Sequence, residues 1–527
     1  MALLCFWLVG AWVGLQLVGC GRPEHRFPLA EVLWEDTDRR PFAPAPPEYV
    51  SPFAWDAADQ TVFRPFSHAF TFDPGGLSWN VNALDEVPNS SWFHNRLGRQ
   101  SISPARLAQA ACDEPPLTAD GPWWVTDAKP NGANPGFIIK DAQDRPFLLK
   151  FDDRAHGERA TAADVIGSVL YWGAGYFAPC NRPVFFDKTI LRIASGATAE
   201  GRGGKDVPLT WTHIEAAIDD AFVLPDGRLR ASASRFLPGK PLGPFRYQGR
   251  RSQDPNDIIP HEKRRELRAG YVIASWLNHF DAREQNTFTT FIPSRHGGGH
   301  VRHYYLDFGD CLGSLWDWDG IARRIGHAYY LDIPYLVTDF VTLGLIRRPW
   351  EQVQKGPTGD VLGYFDVAHF TPDRWKPGYP NPAFAEMMEI DAAWMARILA
   401  HVRDAHLRAA IGAAQIQQPR VRQELFRILR GRRDRILRRW FRQRSALAAP
   451  NIVQHDDGAQ LCMRDLAVWA GLQAPDTRPY RVRVWRRLHR RPQAVARAPL
   501  RRGPHAWQIC QPLPDMGGRA HRPAYLI

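Results

Sequence analysis

The sequence predicts an α+β fold of two lobes, a β-rich N-terminal lobe and an α-helical C-terminal lobe, with an N-terminal extension and a small β-rich C-terminal appendage. Three observations predict it. Two β-rich runs, 136–140 and 146–151, flank the turn residues DAQDR, which is the pattern of a hairpin. An amphipathic helical run, 159–175, follows directly. Beyond about residue 260 the strand patterns give way to helical ones, and near the changeover lie Asp281, Asn286 and the tripeptide Asp307-Phe308-Gly309.

A chain of 527 residues with 44% hydrophobic and 23% charged content can bury a sizeable core, which excludes wholesale disorder. Twenty Trp and 44 Pro point to a loop-rich surface with aromatic anchors, and no internal repeat is visible. The net charge of +12 is concentrated after Gln418, in the stretches 427–444 and 481–492. Such runs read first as a solvated arginine-rich face and second as a site for an anionic surface or nucleic acid. Aromatic interleaving there is limited to Trp440, Phe441 and Trp485, so nucleic-acid binding ranks last.

Residues 1–19 are almost wholly apolar and end in Leu17-Val18-Gly19-Cys20. A small residue before a Cys at the end of an apolar run matches the bacterial lipobox. The expectation is therefore a lipoprotein of the cell envelope, anchored in a membrane through lipid on Cys20, with its body on the periplasmic or surface face. No Lys or Arg precedes the apolar run, and an uncleaved anchor is the alternative. Of seven Cys, Cys5 lies in the signal and Cys20 carries the lipid, leaving Cys112, Cys180, Cys311, Cys462 and Cys510. That set permits at most two disulfides and one spare thiol, with the pairing open, and without a C-x-x-C pair it does not suggest zinc.

In order along the chain, the expected units are a signal at 1–20, a Pro-rich tether at 21–59, an extension at 60–130, an N-lobe at 131–240, a C-lobe at 241–447 and a basic module at 448–527. The extension carries a short helix at 103–112. The helix at 159–175 presents Val165, Ile166, Val169, Leu170 and Trp172, and Gly173 and Gly175 end it. Strands recur at 183–186, 189–194 and within 221–237, and a Gly/Pro-rich hinge occupies 238–244. Helices are expected at 260–278, 318–329, 335–345, 384–414 and 420–444. The last is basic and amphipathic. It is read as packed on the C-lobe, with a place on anionic lipid as the alternative. Strand-like pieces at 480–485 and 505–510 mark the appendage.

Phosphoryl transfer to a hydroxyl needs one carboxylate to orient the attacking oxygen, and a carboxamide and second carboxylate to hold Mg²⁺. Asp281 fits the first role and Asn286 and Asp307 the second, since oxygen donors suit Mg²⁺. His279 braces the loop, and Asp310 either assists the metal or caps a turn. Lys150, on the strand face opposite Phe147, Leu149 and Phe151, is placed to pair with nucleotide phosphates. Taken alone it reads as an ordinary strand lysine. The helix acid that would hold it is Asp164, inside the helix, in preference to Glu158 in the loop before it. A phosphate-covering loop has only Gly132 and Gly136 to offer, and the adenine-side hinge falls at 234–237, around Phe236.

The segments LNHFDAREQNTF, YYLDFGDCLGS, LLKFDD and AADVIGSVLYWGAGY together resemble the atypical protein-kinase-like group, which includes HipA-like, CotH-like and phosphoinositide kinases. More closely, they resemble a set of bacterial exported kinase-like proteins. The match runs from about 136 to 313. It implies the bilobal protein-kinase-like fold, ATP with Mg²⁺ (or Mn²⁺) as cofactors, and a protein, glycan or small-molecule hydroxyl acceptor. The thin glycine loop and an address away from evident ATP leave a second reading, a catalytically inactive kinase-fold lipoprotein acting as a binding or scaffold protein.

Overall fold

Seven strands form the sheet of the first lobe: β1 (Trp123–Ala128), β2 (Gly136–Lys140), β3 (Pro146–Phe151), β4 (Asn181–Phe186), β5 (Leu191–Glu200), β6 (Asp206–Pro208) and β7 (Leu229–Arg235), in the order β4-β7-β3-β2-β1-β5-β6. The computed structural model describes residues 31–50, 52–69, 75–128, 135–200, 205–313, 319–456, 458–480, 482, 485–488, 491–494, 499–513 and 525–526. The expected hairpin is β2–β3, with Gly136 opposite Lys150 and Lys140 opposite Pro146. The sheet begins at Trp123, ahead of the boundary read at 131. β1 buries Trp123 and Val125 and pairs in parallel with β5, a pairing across distant segments that local pattern does not show. Phe137, Ile139, Leu149 and Phe151 fill the core on one face. The two-residue period of a strand leaves Leu148 and Lys150 on the other.

The extension is an integral part of the core. Val87, Trp92, Phe93 and Leu97 are buried with α1 (Pro104–Gln109), whose first turn is capped by Ser103. This layer packs against α2 (Arg159–Ala174), which is buried along almost its whole length. Gly173 does not end α2, as the sequence reading had it. It lies inside the helix, where its missing side chain makes room for Leu107 and Leu97. Gly175 ends the helix, in the left-handed region at φ +119°. A disulfide between Cys112 and Cys180 ties the extension to the start of β4. A short helix, α3 (Trp211–Asp219), adds Ile214 and Ile218 to the first lobe's core.

The second lobe opens with β8 (Lys240–Gly243), then α4 (Arg265–Leu277), then the hairpin β9 (Thr287–Pro293) and β10 (Gly299–Tyr305), in the order β10-β9-β8. After the hairpin come α5 (Asp319–Arg324), α6 (Ile333–Val341), α7 (Glu389–Leu399), α8 (Asp404–Ala413) and α9 (Pro419–Gln443). The single helix read over 384–414 is split in three: a short helix, Pro382–Ala385, ends before residues 386–388, and residues 400–403 turn before Arg403 opens α8. α9 buries Val421, Leu425, Ile428, Leu429, Ile436, Leu437, Trp440 and Phe441 in the lobe. It passes unbroken through Gly431, where a Cβ would stand 2.7 Å from Val367.

Behind α9 a four-stranded sheet, built from Leu447–His455, Gly458–Asp465, Gln508–Pro512 and Arg501–Arg502, carries a second disulfide, Cys462–Cys510, across adjacent strands. Among the described residues Cys311 is the remaining thiol, and it is buried. Residues 1–30, with Cys20, lie outside the described residues. No helix among the described residues is long and apolar enough to cross a membrane.

Candidate active site

Lys150 projects from the face of β3 that the first lobe's core leaves free. Its Nζ lies 2.8 Å from Asp307 Oδ1 and 3.8 Å from Asp164 Oδ1. Asp164 is fixed from two sides. Ser232 Oγ, on the strand beside β3, donates to its Oδ2 at 2.6 Å, and the Phe308 N–H donates to its Oδ1 at 3.2 Å. Glu158, the other acid considered for Lys150, is committed elsewhere: it accepts the Gln417 N–H at 2.7 Å and lies 3.6 Å from the buried Arg230. Burial on its own would lower the Lys150 pKa. Asp164, then Asp307 and Asp310, overcome that and hold it above the ordinary lysine value.

The loop after α4 supplies the second half of the site. Asn278 closes the helix in the left-handed region and accepts Trp375 Nε1–H at 2.8 Å. His279 is fully buried, with Nδ1 2.9 Å from the Tyr171 hydroxyl. Burial lowers its pKa to about 4, so it braces the loop as a neutral ring. Asp281 and Asn286 bond to each other across their loop: Asn286 Nδ2–H donates to Asp281 Oδ2 at 2.7 Å and to the Asp281 carbonyl at 2.8 Å. Arg283 Nε, which the sequence reading did not single out, stands 3.0 Å from Asp281 Oδ1. Burial raises the Asp281 pKa to about 7. Arg283 and Asn286 oppose the rise, and Asp310 and Asp307 add to it.

The β9–β10 hairpin brings the third part alongside. Thr287 pairs with Tyr305, and the Leu306 N–H donates to the Asn286 carbonyl at 3.0 Å, so Asp307 follows immediately beside the Asn286 loop. Asp307 is left-handed at φ +53°, an uncommon conformation for a residue with a side chain. Phe308 packs under α2, 4.8 Å from the Tyr171 ring and 5.5 Å from His279, in space that Gly167 leaves open. Gly167, Tyr171 and Ser232 therefore position the site. None of these had a local sequence signal, since Ser232 falls opposite Lys150 only once β3 and β7 are paired.

Lys150, Asp164, Asp281, Asn286 and Asp307 are thus brought together, and Gly136 opens β2 directly opposite Lys150. Gly132 falls outside the described residues. Phe236 does not join the group. It is half exposed and lines a cavity of about 860 Å³ with Phe147, Cys180, Arg302 and Tyr304, which none of those five residues touches. Among the described residues no cluster of three or more His, Cys, Asp or Glu forms a ready cage for a metal. Asn286 and Asp307 offer two oxygen donors, a set that fits Mg²⁺, which keeps several waters and binds phosphates as its other ligands.

A β-sheet lobe bearing the lysine, a helix bearing its acid, and a helical lobe bearing D-x4-N and D-F-G make this a mixed α+β, bilobal protein-kinase-like fold. No family model matches the sequence, and no curated protein matches it. Among solved structures, the Golgi casein kinase with Mn/ADP bound is similar at 13% identity over 53% of this chain and 73% of that one, with a TM-score of 0.21. A second structure of the Golgi casein kinase is 12% identical over 66% and 88%, with a TM-score of 0.23. Similarity at that level carries no weight, and the assignment rests on strand order and site geometry.

Proposed function

We propose that this protein is an exported, membrane-anchored, ATP-dependent phosphotransferase acting on a hydroxyl acceptor. The observation that carries the reading is the convergence of Lys150, Asp164 and Asp307 with the Asp281–Asn286 pair from four separate elements, with Lys150–Asp307 and Asn286–Asp281 at hydrogen-bond distance and Lys150–Asp164 at ion-pair distance. Bound Mg·ATP would supply the γ-phosphoryl group and offset the charge of its own phosphates. Lys150 would pair with the phosphates, and Asn286 Oδ1 and Asp307 would hold the cation, since Asn286 Nδ2 is already committed to Asp281. Asp281 would orient the acceptor hydroxyl and take its proton as that oxygen bonds to the γ-phosphorus and the bond to the ADP oxygen breaks. A carboxylate whose pKa is lifted to about 7 is suited to that task at neutral pH.

Incubation with labelled ATP and Mg²⁺ or Mn²⁺ tests this. Label should reach an acceptor with the wild type and fail to do so with Asp307→Ala. Equal labelling by both, or none over a broad panel of protein, glycan and small-molecule hydroxyls, contradicts it. The anchoring half of the reading rests on Cys20 and the apolar run before it, and Cys20→Ala should shift the protein from the membrane to the soluble fraction. The direct Lys150–Asp307 contact favours a second reading, in which the bridge closes the cleft of a catalytically inactive binding protein. That reading predicts no Mg·ATP-dependent thermal stabilisation.

A further inference from the structure

The segment after the D-F-G turn contains a helix whose amphipathicity is inverted. α6 turns Tyr335, Thr338 and Asp339 toward the protein and Leu336, Val337, Phe340 and Val341 toward solvent. Leu343 and Leu345 extend the apolar surface, and Phe340, Leu343 and Leu345 are 82%, 85% and 83% exposed. Ion pairs engage the polar side of the helix. Asp332 caps the helix and binds Lys376 at 2.6 Å, which ties the start of α6 to the lobe, and Asp339 binds Arg348 of the following turn at 2.6 Å. Contiguous apolar exposure of this kind marks a surface that is covered in use.

Shape and charge indicate what covers it. A Cβ on Gly344, between the two most exposed leucines, would meet nothing within 4 Å, so the apolar surface is a knob and not a groove. Both carboxylates of the segment 331–347 are ion-paired, and Arg347 is exposed at its edge without an ion-pair partner among the described residues. An apolar knob with no free carboxylate and a cation at its rim matches an element that sinks into the headgroup–acyl boundary of an anionic bilayer. The chain between Cys20 and the first described residue is 21–30, which at about 3.5 Å per residue keeps an anchored body within about 35 Å of the membrane.

The knob is joined to the candidate site. Tyr330, three residues before α6, donates its N–H to the Gly378 carbonyl at 2.8 Å, and the Gly378 N–H donates to the carbonyl of Phe280, next to Asp281, at 2.6 Å. Three residues span at most about 10 Å to the start of α6, and the helix itself adds about 13 Å to the turn after it. We propose that α6 and the turn after it insert into a lipid bilayer and set Asp281 at headgroup depth, so that the acceptor hydroxyl belongs to a membrane-embedded molecule. The insertion rests on the exposed surface and on the anchoring read from Cys20, and the acceptor clause rests in addition on the phosphotransferase reading.

The test uses the full chain carrying Phe340→Cys labelled with an environment-sensitive fluorophore, with Trp211→Cys, exposed on the other lobe, labelled as control. Phosphatidylcholine/phosphatidylglycerol vesicles, without nucleotide, should shift the emission at 340 to the blue and make it quenchable by spin-labelled lipid, while leaving 211 unchanged. Adding Leu336→Glu and Leu343→Glu should weaken the response at 340 at least about tenfold. A protein that reaches the vesicles with the 340 label unshifted overturns the proposal. So does a blue shift that appears without vesicles and grows with protein concentration, because a second copy would then cover the knob. Since no ATP is present, failure here is separate from failure of phosphoryl transfer. Label from ATP recovered only in soluble acceptors and never in the lipid extract overturns the acceptor clause.

Discussion

Two clusters of buried charge lie at opposite ends of the second lobe's first elements, and they are built on different balances. At the start of α4, Arg265 spans Asp85 and Asp391, with its Nε 3.0 Å from the latter, and Arg397 binds Asp85 at 2.6 Å. Every carboxylate there has a guanidinium, and although burial opposes its charge, Arg265 is held above its ordinary pKa by Asp85 and Asp391. Beyond the end of the same helix, Asp164, Asp281, Asp307 and Asp310 gather around Lys150 and Arg283. The charges of Asp310 and Asp307 add to the burial that lifts Asp281 to about 7. The balanced cluster holds the extension against the lobe. The other gathers carboxylates where Asn286 and Asp307 offer oxygen donors to a divalent cation.

The comparison can be broken most forcefully with Asp307→Ala, which should lower phosphoryl transfer by about 10²–10³-fold or more while leaving the melting temperature nearly unchanged. Rate by labelled ATP and a thermal melt on the same sample check both halves. Arg265→Met should do the reverse, because it removes the guanidinium that Asp85 and Asp391 share in the buried network. A loss of about 3–5 kcal/mol in denaturant unfolding is expected, with any remaining folded protein still competent.

Asp281→Asn sharpens the contrast. Removing a buried, unfavourably placed charge should leave stability within about 1 kcal/mol of wild type, or raise it, while turnover is lost. The smallest expected effect lies at His401, which donates from Nδ1 to the Arg397 carbonyl at 3.0 Å and has Arg464 of the C-terminal module 3.4 Å from Nε2. Burial lowers its pKa to about 4 in the folded protein, whereas an unfolded imidazole titrates near 6.5. Its contribution is therefore full above about pH 6.5 and is lost as pH falls toward about 4. Against His401→Gln, the wild type should lose on the order of 1 kcal/mol more over that window, read from melts at a series of pH values.

What could be read in the sequence was what is encoded locally. The β2–β3 hairpin, α2 and the apolar face of α9 follow from periodicity and turn residues over a few neighbouring positions. β1 was missed because one of its partners, the parallel β5, lies well away in sequence, and the burial of Trp92, Phe93 and Leu97 in the main core leaves no periodic trace. At the site, the spacing of Asp281, Asn286 and Asp307 was visible in the chain. Tyr171 and Gly167 were not, because each acts through a contact with a distant element, and Arg283 was not, because its pairing with Asp281 depends on how the loop folds. Choosing between Asp164 and Glu158 needed only their positions relative to α2, yet the reach of the shorter acid depends on Ser232, which no local pattern shows.

Calorimetric titration of the full chain with a non-hydrolysable ATP analogue, with and without Mg²⁺, tests the central claim most directly. Binding that requires Mg²⁺ and weakens at least about tenfold in both Asp307→Ala and Asn286→Ala is the predicted result. Binding indifferent to the metal, or undiminished in those variants, would contradict it.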